Sequence, residues 1–406
     1  MSLYQSNPGR MVFFLDESHP TPGAPWTRIS SFGKAATAKG FPVDIIGIFS
    51  PKALEQRGIK SISNLNIINL LFKVPLPNPF IFTANLLSSL VISTFILIGR
   101  RPKIAVVSFP GGDSASGFLF ACALLRIKTV IDYRDEWENQ FIFSALPSFS
   151  KRFYKLIKKI WPGLFYNRAS FVSVVTQPFV KALKESRVDN VILVPNGASS
   201  SSFKPLENKL DDGLFKIVYS GGIGEYYRLD IVVSSLKKLV DRGYQNIRLI
   251  MVGRETNHAV LDNILAYAMD NGLKGSVIYL GNKSDVRELS KIIASADVGI
   301  VPYDDNPLWK NGLPAKFWEY CASGLPVIAT VFKDSILARL IQENGIGLTV
   351  DPLDVDGLAD VIEKLSSEKE FRSVAGKRAR LLIERDFNRD KISEEYINKV
   401  SKIATS

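Results

Sequence analysis

Lys316 and Glu319 stand three residues apart in the run Asn311-Gly312-Leu313-Pro314-Ala315-Lys316-Phe317-Trp318-Glu319-Tyr320-Cys321-Ala322-Ser323-Gly324-Leu325-Pro326. On a helix that spacing puts both side chains on one face. A carboxylate near a helix start can accept both hydroxyls of a ribose, and a neighbouring lysine can neutralise a diphosphate. Pro314 suits the first turn of such a helix, Gly324 its end, and Pro326 the opening of the next strand. A second anion-binding pattern is Ser220-Gly221-Gly222-Ile223-Gly224, between an apolar run and a helix expected from about Arg228. Glycines at a strand-to-helix turn let backbone N–H groups cradle a phosphate. No Gly-Lys-Ser/Thr follows, so this is not a P-loop, and G-G-x-G is not a dinucleotide fingerprint.

Two further loops offer chemistry. DESHPTPGAPWTR brings Gly23 to a turn that a ligand can approach closely. In YRDEW, Asp135 follows an apolar run, where it can cap the next helix. Asp354-Val355-Asp356 spells D-x-D, but its position before a helical segment reads as a cap, and Asp304-Asp305 reads as a solvated pair. No metal site is expected.

Composition narrows the classes. The 406 residues are 46% hydrophobic and 22% charged, a globular balance with material for two or three domains. Two cysteines exclude a disulfide scaffold and a cysteine-rich zinc site, and two histidines leave no H-E-x-x-H. Lys plus Arg exceeds Asp plus Glu by 51 to 40, so the net charge of +11 points to an anionic partner. Met1–Arg10 is polar and lacks an apolar signal region, so cytosolic residence is expected.

The elements that must position these residues are short apolar runs alternating with helical segments. The first half offers Met11–Leu15, Val43–Phe49, Ile104–Phe109, Thr129–Tyr133, Phe171–Val175 and Val191–Pro195. The second offers Phe215–Tyr219, Arg248–Val252, Val277–Leu280, Val298–Tyr303, Pro326–Ala329 and Gly347–Val350. This alternation predicts parallel sheets covered on both faces, in two doubly wound domains. A (β/α)₈ barrel would leave four of the runs unplaced. The Ser-, Asn- and Gly-rich stretch Asn196–Gly213 reads as the linker.

Two stretches depart from this pattern. Val74–Gly99 carries no charge, and Phe80–Ile98 within it admits three readings: a buried helix, a hairpin or helix dipping into one leaflet, or a membrane span. Asn139–Lys184 carries no Asp or Glu, and interleaves Lys151, Arg152, Lys155, Lys158 and Lys159 with aromatic residues. Residues 80–98 and 151–184 together suit an anionic membrane surface. Nucleic acid is not expected, because no module for it appears.

The chain resembles the family-four glycosyltransferases of the GT-B class from Met11 to about Phe387. The resemblance is carried by FYNRASFVSVVTQPFVKALKES, VILVPNGASSSSFKP, VYSGGIGEYYRLDIVVSSLKKL, VIYLGNKSDVRELSKIIASADVGIVPY and LPAKFWEYCASGLPVIAT, in family order. IDYRDEW and LPAKFWEY are most similar to the L-fucosamine transferase (WbuB-like) branch. The resemblance implies two Rossmann-like domains facing across a cleft: 1–205 for the acceptor, 206–385 for the nucleotide sugar, and a helix over 386–406 crossing back. It implies a retaining, metal-independent transfer from a UDP-sugar, the sugar being an N-acetylated amino sugar. No cofactor is implied. The acceptor would be a glycan or polyprenyl-linked, in bacterial surface polysaccharide synthesis at the inner face of the cell membrane. Donor binding would fall to Gly23, Ser220, Gly221, Gly222, Arg228, Arg254, Leu313, Pro314, Lys316 and Glu319, with Asp135, Lys316 and Glu319 catalytic. Two family features are lost: Asn311 replaces the first Glu of Glu-x7-Glu, and Gly222 and Tyr227 replace a phosphate-binding Arg and Lys. These losses would permit a catalytically silent, membrane-associated partner subunit, and a sugar-nucleotide epimerase of the same fold is the other rival expectation.

Overall fold

In the computed structural model, residues 9–15, 24–47, 65–69, 78–108, 112–135, 146–207, 209, 212–283 and 285–405 are described. The chain divides into two units: 1–195 with 390–406, and 196–389. The sequence placed these divisions at 205/206 and 385/386. The difference has a physical cause. The serine-rich run after Asn196 is packed structure of the second unit, because Arg380 donates to the carbonyls of Phe203 (2.7 Å) and Ser200 (3.0 Å) and Phe203 is buried. Composition alone cannot show a clamp from that far along the chain.

The first unit holds a seven-stranded, all-parallel sheet of order β3-β2-β1-β4-β5-β6-β7. Its strands are β1 (Met11–Leu15), β2 (Val43–Gly47), β3 (Leu65–Asn69), β4 (Ile104–Ser108), β5 (Lys128–Tyr133), β6 (Val172–Val174) and β7 (Val191–Leu193). Its helices are α1 (Ala24–Ala38), α2 (Pro79–Arg100), α3 (Asp113–Leu124), α4 (Ser148–Trp161), α5 (Gln177–Glu185) and, from the chain's end, α13 (Arg389–Thr405), with a π-helical turn at Pro162–Tyr166. Alternation along β1 divides the core. Val12 and Phe14 face the layer of α2 to α4, while Met11, Phe13 and Leu15 face α1 and α13. Strand β3 was absent from the sequence expectation. Leu65-Asn66-Ile67-Ile68-Asn69 mixes asparagine into the apolar run at the edge of the sheet, so it does not read as the near-continuous apolar run of a covered strand.

The second unit is a six-stranded parallel sheet of order β10-β9-β8-β11-β12-β13. Its strands are β8 (Phe215–Ser220), β9 (Ile247–Val252), β10 (Val277–Tyr279), β11 (Val298–Pro302), β12 (Val327–Thr330) and β13 (Gly347–Val350). Its helices are α6 (Leu229–Asp241), α7 (His258–Asp270), α8 (Val286–Ser295), α9 (Ala315–Ala322), α10 (Ile336–Asn344), α11 (Val355–Ser367) and α12 (Lys369–Arg385), with a 3-10 turn at Pro307–Asn311. Both sheets have the doubly wound order, reversing direction at β1/β4 and at β8/β11. The D-x-D motif is structural: Asp354 caps α11 by accepting from the Gly357 amide at 2.8 Å, and Asp356 pairs with Lys238 at 2.5 Å.

Phe80–Ile98 is neither a hairpin nor fully buried. It is the core of α2, capped by Asn78 accepting from the Phe80 amide at 2.9 Å, and one side of it packs on α3. The approach is close: a Cβ at Gly117 would stand 2.2 Å from the Leu86 carbonyl oxygen. The packed side is polar. Asn85 donates to Asp113 at 2.7 Å and Ser89 to the Ser114 carbonyl at 2.7 Å.

The first unit also buries a charge network. Asp132, in β5, accepts from Arg28 Nε at 3.0 Å and Nη2 at 2.9 Å, and from Ser173 Oγ at 2.9 Å. Arg28 also donates to the Val194 carbonyl at 2.9 Å, so it ties α1 to β5 and to the end of β7. Removing one partner of a buried pair strands the other charge in a medium of low dielectric. Asp132→Ala is expected to destabilise the first unit by about 3–5 kcal/mol. Urea unfolding followed by hydrogen exchange at the β5 and β6 amides measures it.

Candidate functional site

Strands of a doubly wound sheet diverge at the switch point, and their outgoing loops frame a crevice there. In the second unit those loops are Gly221–Arg228 after β8 and Tyr303–Pro314 after β11. They meet: Tyr227 and Tyr303 form an antiparallel bridge, and the Arg228 amide donates to the Pro302 carbonyl at 2.8 Å. The β8 loop is further held by the neighbouring β9 loop. Gly221 (φ +138°) and Gly253 (φ +148°) cross so closely that a Cβ on Gly253 would lie 1.8 Å from the Gly221 carbonyl oxygen. Only glycine permits that crossing.

Beneath Gly221 lies Lys316. A Cβ on Gly221 would stand 2.9 Å from its Nζ. The side chain rises from the first turn of α9, and the residue is only 5% exposed. Its Nζ sits 3.3 Å from the ring centroid of Tyr227 and 4.1 Å from that of Tyr219, with no hydrogen-bond partner. Ring faces attract a cation, offsetting part of the cost of removing it from water. Burial still pushes the amine pKa well below the ordinary lysine value, against the opposing pull of Glu319. One turn on, the Tyr320 hydroxyl accepts from the Ser220 amide at 2.7 Å and is met by Ser220 Oγ at 3.3 Å. Helix α9 thus grips the end of β8 at Ser220 while presenting Lys316 to Gly221. The wall continues outward, with Tyr303 stacked on Tyr227 at 5.5 Å and on Trp309 at 4.5 Å. Asp304, set aside above as a solvated residue, accepts from the Trp309 indole and from the Asn306 amide at 3.1 Å.

The structure therefore brings together Ser220, Gly221 and Lys316, with Glu319 half-buried on the same short helix. Pro314 is the residue capping α9 rather than lying in its first turn, and Leu313 precedes it, half-buried. Gly222 lies next to Gly221, with its carbonyl accepting from the Tyr219 hydroxyl. Arg254 is half-buried just after Gly253. Arg228 is engaged elsewhere, since its Nε and Nη2 donate to Asp230 at 2.9 Å and 2.7 Å. That pair lines a cavity of about 560 Å³ with Gly224, Tyr227, Asp304, Asp305 and Tyr267, a wall that excludes Lys316 and Glu319. Asp135 belongs to the first unit and is exposed, following the buried Arg134. Gly23 lies outside the described residues.

Sequence reasoning missed Tyr219 and Tyr320, and noticed Tyr227 only as the position of a lost cation. The usable signal was the spacing of Lys316 and Tyr320, which four residues apart must face the same strand end. A buried amine with a lowered pKa binds protons more weakly than the same amine in the unfolded chain, so the second unit gains stability as pH rises toward the ordinary lysine range. Lys316→Met is expected to raise the unfolding midpoint at neutral pH, with the gain shrinking as pH rises. Urea unfolding of both proteins across the alkaline range checks it.

Comparison with known proteins places this geometry in context. Residues 201–382 match the family "Glycosyl transferases group 1". The chain is 20% identical to the probable glycosyltransferase WbjE of Pseudomonas aeruginosa over 73% of this chain and 72% of that protein. It is 28% identical to the lipopolysaccharide core biosynthesis glycosyltransferase LpsE of Rhizobium meliloti, over 34% of this chain and 37% of that one. Among solved structures, sucrose-phosphate synthase from Thermosynechococcus elongatus superposes with a TM-score of 0.77 at 17% identity, covering 97% of this chain and 99% of that one. Anabaena HepE in complex with UDP-glucose superposes with a TM-score of 0.70 at 14% identity, covering 97% of this chain and all of that one (100%). The family match thus falls within the second unit, and the chain as a whole has the GT-B fold.

Proposed function

We propose that this chain is a retaining, metal-independent glycosyltransferase that uses a UDP-sugar in bacterial surface polysaccharide synthesis. The observation that carries the reading is Lys316: a buried amine with no hydrogen-bond partner, set under the glycine turn at the switch point and one helical turn from Glu319. A buried donor without a partner is costly, and a diphosphate supplies the acceptors that this amine lacks. Glu319 then accepts from the ribose hydroxyls. Ser220, Gly221 and Gly222 bring the backbone close to the phosphates, and Arg254, Leu313 and Pro314 border the nucleotide. The group 1 domain and the likeness to a fold that carries UDP-glucose in HepE support the donor class. The likeness to LpsE supports a polysaccharide product. An N-acetylated amino sugar rests on the resemblance of LPAKFWEY and IDYRDEW to the L-fucosamine transferase branch.

In this reading the bond from the sugar C1 to the diphosphate oxygen breaks and C1 bonds to the acceptor oxygen on the same face. The acceptor proton passes to the departing diphosphate, and Asp135 orients the acceptor hydroxyl. The acceptor is a glycan or polyprenyl-linked, and the place of action is the cytoplasm, at the inner face of the cell membrane. Arg228, already paired with Asp230, contributes to the phosphates only if that pair opens.

The same pair and Asn311 favour one second reading, a catalytically silent partner subunit that has lost part of its phosphate clamp. UDP release from a panel of UDP-sugars, with Glu319→Ala alongside, separates the two. The expected outcome is turnover with at least one amino-sugar donor and a loss on the order of a hundredfold in kcat/KM for Glu319→Ala, as for removal of charge-assisted hydrogen bonds. Binding of UDP without turnover of any donor would establish the silent subunit. Turnover indifferent to Glu319→Ala would overturn the site. The product's anomeric configuration, read by proton NMR, tests retention.

A further inference from the structure

Helix α2 is inside out for a helix on the outside of a soluble unit. Its packed side carries Asn85, Ser89 and Ser93, all buried, between Phe82 and Leu97. Its other side carries Phe80 (80% exposed), Leu87, Val91, Phe95 (73% exposed) and Ile98. Their spacing follows one helical stripe, about 27 Å long at 1.5 Å per residue. Among the described residues nothing covers this stripe, and contiguous exposed apolar surface of this kind marks an interaction site.

Helix α4 lies against the start of α2. Phe82 makes edge-on ring contacts with Phe153 at 5.3 Å, Tyr154 at 6.1 Å and Trp161 at 6.2 Å. While Tyr154 and Ile157 turn inward, α4 exposes Arg152, Lys155, Lys158 and Lys159 together with Phe149, Leu156 and Ile160. No acidic residue occurs from Asn139 to Lys184, so the charged residues of that stretch are all positive. Apolar side chains set among exposed cations match the acyl boundary and headgroups of an anionic bilayer. They do not match a second copy of this chain, whose +11 charge would repel it.

We propose that the exposed faces of α2 and α4 form a docking surface for an anionic phospholipid membrane, with α2 lying in the plane of the interface. By length and composition alone α2 would also serve as a span. Its packed side argues against crossing: leaving α3 would strip the Asn85–Asp113 and Ser89–Ser114 hydrogen bonds and expose the Asp113 carboxylate to hydrocarbon. This inference is independent of which sugar, if any, the second unit transfers.

The test is flotation of the full chain with vesicles of phosphatidylcholine, alone or mixed with phosphatidylglycerol, alongside Leu87→Asp/Phe95→Asp and Lys155→Glu/Lys158→Glu. The native chain should bind the mixed vesicles at least about tenfold more tightly than the neutral ones, and added salt should weaken it. Each double variant should lose about tenfold or more, with an unchanged circular dichroism spectrum. If a variant fails to fold, hydrogen exchange on the native chain decides, since mixed vesicles should slow exchange in α2 and α4 and leave the second unit's sheet unchanged. Equal binding to both vesicle types, or no protection of α2 and α4, would overturn the proposal. A dimer in solution that Leu87→Asp/Phe95→Asp dissociates, without vesicle binding by the native chain, would assign the surface to a second copy instead.

Discussion

The second unit depends on the place where two backbones cross with no side chain between them. With the would-be Cβ of Gly253 at 1.8 Å from the Gly221 carbonyl, any other residue would push the β8 loop away from the sheet. That loop supplies the turn above Lys316 and, through Tyr227, a face of the amine's aromatic box. It also supplies the bridge to Tyr303 that joins the two sides of the switch point. The glycines matter less as flexible hinges than as missing volume. They let a strand end, two loops and the first turn of α9 occupy space that side chains would otherwise fill.

The two units bury charge by opposite means. In the first, Asp132 is enclosed by hydrogen bonds from Arg28 and Ser173, so its ionised form is matched and the network holds α1 against β5 to β7. In the second, Lys316 is enclosed by rings that attract its charge without accepting a hydrogen bond. The first arrangement is complete in itself and reads as structure. The second leaves the amine without an acceptor, and the same burial depresses its pKa. This contrast, more than either motif, distinguishes the buried ions of the two units.

Much of the architecture was legible because the strands of a covered parallel sheet must be apolar on both faces. Met11–Leu15 and Gly347–Val350 emerge with the bounds read from sequence, and most others shift by a residue or two at their ends. The edge strand Leu65–Asn69 escaped, since an edge can keep asparagine. The run after Asn196 looked like a linker because its tether, Arg380, sits in a distant helix. Lys316 and Glu319 were readable as one helix face, whereas the rings around Lys316 come from β8 and its outgoing loop and have no local signature. Arg228 shows a further limit: Asp230 stands only two residues away, yet the sequence does not show that the two side chains pair.

By itself the sequence determined the two doubly wound halves, the candidate face of α9, a basic run without acidic residues and a separate uncharged stretch. These follow from periodicity and composition, which act along the chain. Tertiary structure decided what the periodicity left open. It turned the polar side of α2 inward because Asp113 and the Ser114 carbonyl were there to meet Asn85 and Ser89, and so left the apolar side out. It also decided that Lys316 is buried against rings while Arg228 is paired at the surface. The surroundings of α2 and of Lys316 come from residues distant in sequence, and even the Arg228–Asp230 pair, though local, depends on side-chain geometry that spacing alone does not encode.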